Sequence, residues 1–257
     1  MFEIQPNFKN PYDFLKKCSY SIHRVILSII HFKFEPKQHF CSMIKEACVE
    51  TFEEAAQAEQ NGANRIELCA DLAEDGLTPS FELMQKACST LKIPVMVMIR
   101  PRAGNFIYSE DEIGKMKSEI DLAKKAGAAG VVFGLLTSEN KIDKKNTRIL
   151  AEYAQPLPVT FHKAIDELQN PVDGVSDLKE IVGIKRILTS GGKPTAIEGL
   201  ETIRKMIEVA AEQIMILVAG KVLDSNVEEI QILTGAKELH GRRIVGDLSK
   251  QLSPKGK

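Results

Sequence analysis

The chain has 257 residues, 44% of them hydrophobic, with 34 lysines and arginines against 35 acids. That suits one large domain with a sizeable core, and the formal net charge of −1 argues against a nucleic-acid or membrane-surface partner. No apolar run reaches the roughly 18 residues a spanning helix needs. The five cysteines (Cys18, Cys41, Cys48, Cys69 and Cys88) lack a framework spacing and fit reduced thiols in the cytoplasm better than a secreted disulfide scaffold.

Residues 1–42 differ in composition from the rest. Asn10-Pro11 can start a helix with Phe14, Cys18, Ile22, Val25 or Ile26, and Ile29 on one face. Three readings stand: a helix packed on the fold, a basic amphipathic targeting segment, or an extension ahead of a natural start at Met43. Glu3, Asp13 and Glu35 count against targeting. The favoured division is a non-catalytic N-terminal extension over 1–42 and a barrel domain over 43–257.

From residue 45 onward short apolar runs alternate with amphipathic helical patterns. Strands are expected at 45–49, 65–69, 94–100, 130–135, 158–162, 185–189, 214–219 and 237–240. Such alternation makes a parallel sheet, and eight βα units make the fold α/β, a TIM-like (β/α)₈ barrel. The tail after 240 carries little helical pattern, so the last βα unit is expected to be short or incomplete. Capping boxes are expected at Thr51 with Glu54, Ser109 with Glu112 and Ser225 with Glu228. Thr78-Pro79 and Asn170-Pro171 each place a cap before a proline at the first helical position. Phe81, Met84, Cys88 and Leu91 form one apolar stripe, which puts Cys88 in the core. Gly62, Gly127, Gly183 and Gly235 recur just before strands two, four, six and eight.

In this fold, sites form at the C-terminal strand ends, and side chains alternate along each strand. The polar residues of the right parity there include Glu46 and Cys48 on strand one, Arg65, Glu67 and Cys69 on strand two, and Arg100 with Arg102 just after strand three. Thr160 and His162 follow on strand five, and Glu238 and His240 on strand eight. Glu67, Arg100 and His162 are charges that need partners inside an apolar barrel, most simply one another, as catalytic groups or as a structural ion-pair network. Cys48 and Cys69 end neighbouring strands, so their sulfurs can approach and suit a soft ion such as Cu(I); the plain reading is that they only pack. Ser190-Gly191-Gly192 is a glycine-rich turn whose N–H groups can hold an anion.

Several segments resemble the CutC family, named for copper homeostasis. They are Arg65-Ile66-Glu67-Leu68-Cys69, Gly76-Leu77-Thr78-Pro79-Ser80, Ile99 through Phe106, Val159-Thr160-Phe161-His162-Lys163-Ala164 and Arg186 through Gly191, with Cys48-Val49 at the end of strand one. The resemblance spans about residues 43–240. It implies a cytoplasmic barrel linked to copper, with Cys48 and Cys69 matching the family's proposed copper ligands. The chain departs from the family at Ala219-Gly220-Lys221-Val222, where relatives carry a glycine run, and at His240-Gly241-Arg242-Arg243.

Two functions from different classes follow. One is Cu(I) binding through Cys48 and Cys69. The other is an enzyme on a small anionic metabolite, with Arg100, Arg102, Ser190 and Gly191 holding the anion and Glu67 and His162 moving protons. A homo-oligomeric scaffold is the blander alternative.

Overall fold

The computed structural model describes residues 43–248, so the expected extension over 1–42 lies outside the described residues. Eight parallel strands close into a barrel in chain order, with β8 returning to pair with β1. They are β1 (Ile44–Val49), β2 (Arg65–Leu68), β3 (Val95–Met98), β4 (Gly130–Phe133), β5 (Val159–Phe161), β6 (Ile184–Thr189), β7 (Met215–Val218) and β8 (Glu238–Gly241). A helix follows each of the first seven: α1 (Phe52–Gln60), α2 (Phe81–Thr90), α3 (Glu110–Ala126), α4 (Lys144–Ala154), α5 (Pro171–Lys179), α6 (Leu200–Ala210) and α7 (Val227–Thr234). After β8 no helix occurs among the described residues; the chain turns, and Arg243 bridges Leu223. Among the described residues the eighth unit is thus a strand without a helix, in line with the weak periodicity of the tail. No helix among the described residues is long and apolar enough to cross a membrane.

Strand alternation sorts the side chains into two compartments. Ala47, Val49, Ile66, Leu68, Val97, Phe133 and Phe161 belong to one large cluster shared with the helices. The opposite parity faces the barrel interior. Cys48, Cys69, Met96, Met98 and Val132 form one small cluster there, and Leu188, Leu217 and Ala219 another. Below them lies a charged layer. Arg65, 5% exposed, is clasped by Glu46 and Glu238, and Arg186 donates to Glu238 at 2.9 Å. Charges so deep are tolerable only because they neutralise one another.

Local signals place most helices. Ser109 and Glu112 close a complete capping box on α3, and Asn170 caps α5 with Pro171 in its first turn. Gly62, Gly127, Gly183 and Gly235 all take positive φ, which is why the same residue recurs ahead of the even strands. Three expectations are corrected. Thr51 caps α1, but the Glu54 carboxylate reaches the N–H of Glu50 rather than that of Thr51. α2 is capped by Ser80, not Thr78, because the Thr78 hydroxyl is spent accepting from Arg100 N and donating to Glu119. The Ser225–Glu228 box does not form. Asn226 precedes α7 and uses its amide on Leu223 N and Lys221 O, tying down the β7–α7 loop. Cys88 is only half-buried on α2, packed against the outer cluster.

Candidate functional site

A cavity of about 880 Å³ opens at the C-terminal ends of the strands. Its inner wall holds Cys48, Glu67 and His240 on one side and Arg100, Phe106 and His162 on the other.

The first group is built by β8, β1 and β2. Register sets Glu46 beside both Arg65 and His240, and Cys48 beside Glu67. Cys48 Sγ lies 3.2 Å and Cys69 Sγ 3.6 Å from the same oxygen, Glu67 Oε2. His240 Nε2 is 3.7 Å from that oxygen, while its Nδ1 is 2.9 Å from Glu46 Oε1. The hydrogen bond from the Cys69 thiol, helped by His240, outweighs burial and holds Cys48 at about 5. Burial pushes Glu67 well above the carboxylate range, and the bond to Cys48 together with burial pushes Cys69 up. Burial works to lower His240, but Glu67, Cys48 and Glu46 raise it well above the usual imidazole value. Burial likewise opposes ionisation of Glu46, yet His240 and Arg65 bring it down to about 2. Within the group Cys48 is thus shifted toward its thiolate and His240 toward its imidazolium, whereas Cys69 and Glu67 are shifted toward their protonated forms. Cys48, Glu67 and His240 each offer a ligand atom within 4.8 Å of the others. The arrangement suits a soft or borderline metal ion.

The second group is built by β3, β4 and β5. His162 is 4% exposed, and its Nδ1 accepts from Ala164 N at 3.2 Å. The ring lies 4.7 Å from the Phe106 ring centroid. It also rests against Gly134, where an added Cβ would come within 2.5 Å of Nδ1. Burial, with the charge of Arg100, lowers His162 to about 3, so it is neutral. Arg100 gives Nη1 to Glu74 O and Gly76 O and Nη2 to Gly104 O.

Several expectations change here. Glu67, Arg100 and His162 line one cavity but do not pair with one another. Glu67 belongs to the thiol side, Arg100 fixes loop carbonyls, and His162 is held by backbone and ring contacts. Arg102 does not line the cavity: its guanidinium is engaged by Glu112, Asn105, Ala103 O and Ile107 O. Ser190 lines the cavity and Gly191 does not. Their turn already holds an anion of the chain itself: Asp166 accepts from Ser190 N and Gly192 N, both at 2.9 Å, while Gly191 N goes to Thr189 Oγ1. The Cys48 thiol is acidified by Cys69 and His240.

Two residues that complete the thiol side, Glu46 and His240, stand among the strand-end polar residues in the sequence but carry no assigned role there. The signal was closure itself: a barrel must seat β8 against β1, and equal parity then joins His240 to Glu46 and Cys48.

Comparison with known proteins gives a consistent result. The model described as CutC family matches residues 43–245. The human copper homeostasis protein cutC homolog is 45% identical over 197 residues, covering 77% of this chain and 72% of that protein. A crystal structure of a copper homeostasis protein CutC from Streptococcus agalactiae superposes with a TM-score of 0.75 at 34% identity, covering 79% of this chain and 99% of that one. An aldolase structure at 15% identity superposes with a TM-score of 0.61, covering 81% of this chain and 93% of that one; it shows the shared barrel fold alone.

Proposed function

The chain belongs to the CutC family, and from that membership we propose that it is a copper homeostasis protein that binds Cu(I) through Cys48 and Cys69 in the cytoplasm. One observation carries the reading: both thiols and the His240 imidazole converge on Glu67 Oε2, at 3.2, 3.6 and 3.7 Å. Sulfur donors select Cu(I) over the harder divalent ions, and the interior cluster around the two cysteines adds the thioethers Met96 and Met98 rather than further oxygen donors. The donor set fits the ion. Cys48 is shifted toward its thiolate and Cys69 away from it, so ligation by Cys69 couples loading to proton release. Among the described residues Glu67 Oε1 has no hydrogen-bond partner, so this carboxyl group can reorient as the thiols engage. The three cysteines among the described residues are free thiols, which suits a reducing compartment.

The test is an anaerobic competition titration against a Cu(I) chelator. Cys48→Ser and Cys69→Ser should each weaken binding at least about a hundredfold, beyond the loss of an outer-shell partner. If both serine variants hold Cu(I) as tightly as the parent, the reading fails.

A further inference from the structure

The cavity is far larger than a metal ion held by two thiolates requires. Its about 880 Å³ is the size of a small-molecule pocket. The side away from the thiols carries a polar atom that nothing among the described residues satisfies: His162 Nε2 has no hydrogen-bond partner there, and His162 is 4% exposed. Because Nδ1 of His162 accepts from Ala164 N, the ring proton sits on Nε2, and that atom is a donor. Across the cavity Glu67 Oε1 is also unpartnered. A buried donor left unmade costs on the order of 1–3 kcal/mol, so the fold keeps these atoms at a standing cost that an oxygen-bearing ligand would remove. Burial also holds His162 neutral, so it presents a donor without a competing charge.

The rim has its own chemistry. Among the residues lining the cavity, lysines and arginines outnumber aspartates and glutamates six to four. Lys163 is already paired with Asp166. Lys193 and Lys221 are exposed and form no ion pair among the described residues. Lys221 holds a φ of 55°, a left-handed backbone that costs a non-glycine residue about 1 kcal/mol or more, and it still places an ammonium group at the rim. The Ser190–Gly192 turn is closed to an outside anion because Asp166 fills it.

We propose that the cavity binds a small organic anion, a phosphate monoester or a carboxylate, with a hydroxyl or carbonyl oxygen at His162, after β5, and the anionic group at Lys193 and Lys221, in the loops after β6 and β7. The pocket is separate in its residues from the copper site, although both open into one cavity. It differs from the arginine clamp expected from the sequence. The anion is held at the rim by lysines, and the deep end recognises a neutral oxygen.

The experiment uses the full chain, metal-free, with ¹⁵N-labelled histidine. Glycerol 3-phosphate and lactate are the two anionic probes, and glycerol is the neutral control. The ring ¹⁵N signals of His162, assigned with His162→Gln, are followed by NMR, and affinity is measured by calorimetry. At least one anionic probe should shift the His162 signals saturably and bind at least about tenfold more tightly than glycerol; which one does so identifies the anionic group. The double variant Lys193→Ser, Lys221→Ser, whose changes are on the surface and do not endanger folding, should weaken that probe about tenfold, as should His162→Gln. Cys48→Ser should bind the probe like the parent while losing Cu(I), which separates this site from the copper reading. The proposal is overturned if neither anion moves the His162 signals, if glycerol binds equally well, or if the double lysine variant binds like the parent.

Discussion

The two sides of the barrel mouth solve the same problem in opposite ways. On the β8–β1–β2 side, buried charges are matched within the chain: Arg65 sits between Glu46 and Glu238, and His240 between Glu46 and Glu67. On the β3–β5 side, the buried cation Arg100 is held by loop carbonyls, and His162 stays neutral with an unused donor. Both histidines are buried, yet one is pushed up and the other down. Burial disfavours the charged form of both: at His162 burial prevails, with the Arg100 guanidinium adding to it, whereas at His240 Glu67, Cys48 and Glu46 outweigh it. A side rich in acids and thiols keeps a positive imidazole and suits a cation, whereas a side with a fixed guanidinium keeps its imidazole neutral and suits an oxygen ligand.

The sharpest break in this comparison is Arg65→Met. It leaves Glu46 with His240 and Glu238 with Arg186 as their remaining partners, the two carboxylates being 1% and 7% exposed, at about 3–5 kcal/mol, the usual cost of removing one member of a buried ion pair. Arg100→Met removes a charge equally deep but strands only loop carbonyls near the opening. Its cost should be smaller, about 1–3 kcal/mol. Urea unfolding of both variants decides the matter, and equal losses would mean that the two sides are not different in kind.

Stability should also depend on pH, with opposite signs for the two histidines. Folded His162 titrates at about 3 against an ordinary value of 6.5. Between those values the unfolded chain binds the extra proton, so stability is lost as pH falls from 6.5 toward 3. His240 is raised in the folded state, so its contribution is complete below 6.5 and is lost as pH rises through its folded value. His162→Gln should flatten the acid limb of an unfolding-midpoint profile, and His240→Gln the alkaline limb. An acid limb unchanged in His162→Gln would show that His162 is not held neutral.

Much of the barrel was legible in the sequence because its determinants are local. Apolar runs mark strands, and Ser109, Asn170 and the four recurring glycines mark helix ends. Cys48 and Cys69 were legible as a pair because strand parity is local as well, whereas Glu67 was grouped with Arg100 and His162 and joins the thiols only in the structure. His240 stands 194 residues from Glu46, and only closure of the barrel joins them. The arginines misled for a different reason. A guanidinium that clamps a substrate and one that clamps loop carbonyls look alike in sequence, and the carbonyls of Glu74, Gly76 and Gly104 belong to backbone that no residue type announces. The glycine-rich turn after β6 does have an anion-binding form, but its anion is Asp166, from the segment after β5.

Gly134→Ala probes the His162 side without touching charge. Its Cβ would come within 2.5 Å of Nδ1 and 2.6 Å of Cε1 of the ring, and 3.1 Å from Ala164 Cβ. The ring is confined by Phe106 on another face, so it must tilt and weaken its bond to Ala164 N. A loss of about 1–3 kcal/mol is expected, the usual cost of overpacking, with Cu(I) affinity unchanged. A fall in Cu(I) affinity would show that the two sides are mechanically coupled and not separate sites.

Cys88→Ser should have the smallest effect, and it tests whether the copper chemistry belongs to the barrel interior at all. Cys88 lies on α2 outside the strands, half-buried against the outer cluster, and burial raises its thiol to about 11. It has neither of the features that prepare Cys48: no second thiol donating to it and no imidazolium beside it. A protonated, isolated thiol is a weak metal ligand and a slow nucleophile. The serine variant should match the parent in Cu(I) stoichiometry and affinity and lie within about 1 kcal/mol of it in stability, as partly buried small substitutions do. Loss of Cu(I) binding comparable to that of Cys48→Ser would move the metal outside the barrel, and the contrast between a cation-binding side and an oxygen-binding side of one cavity would lose its first half.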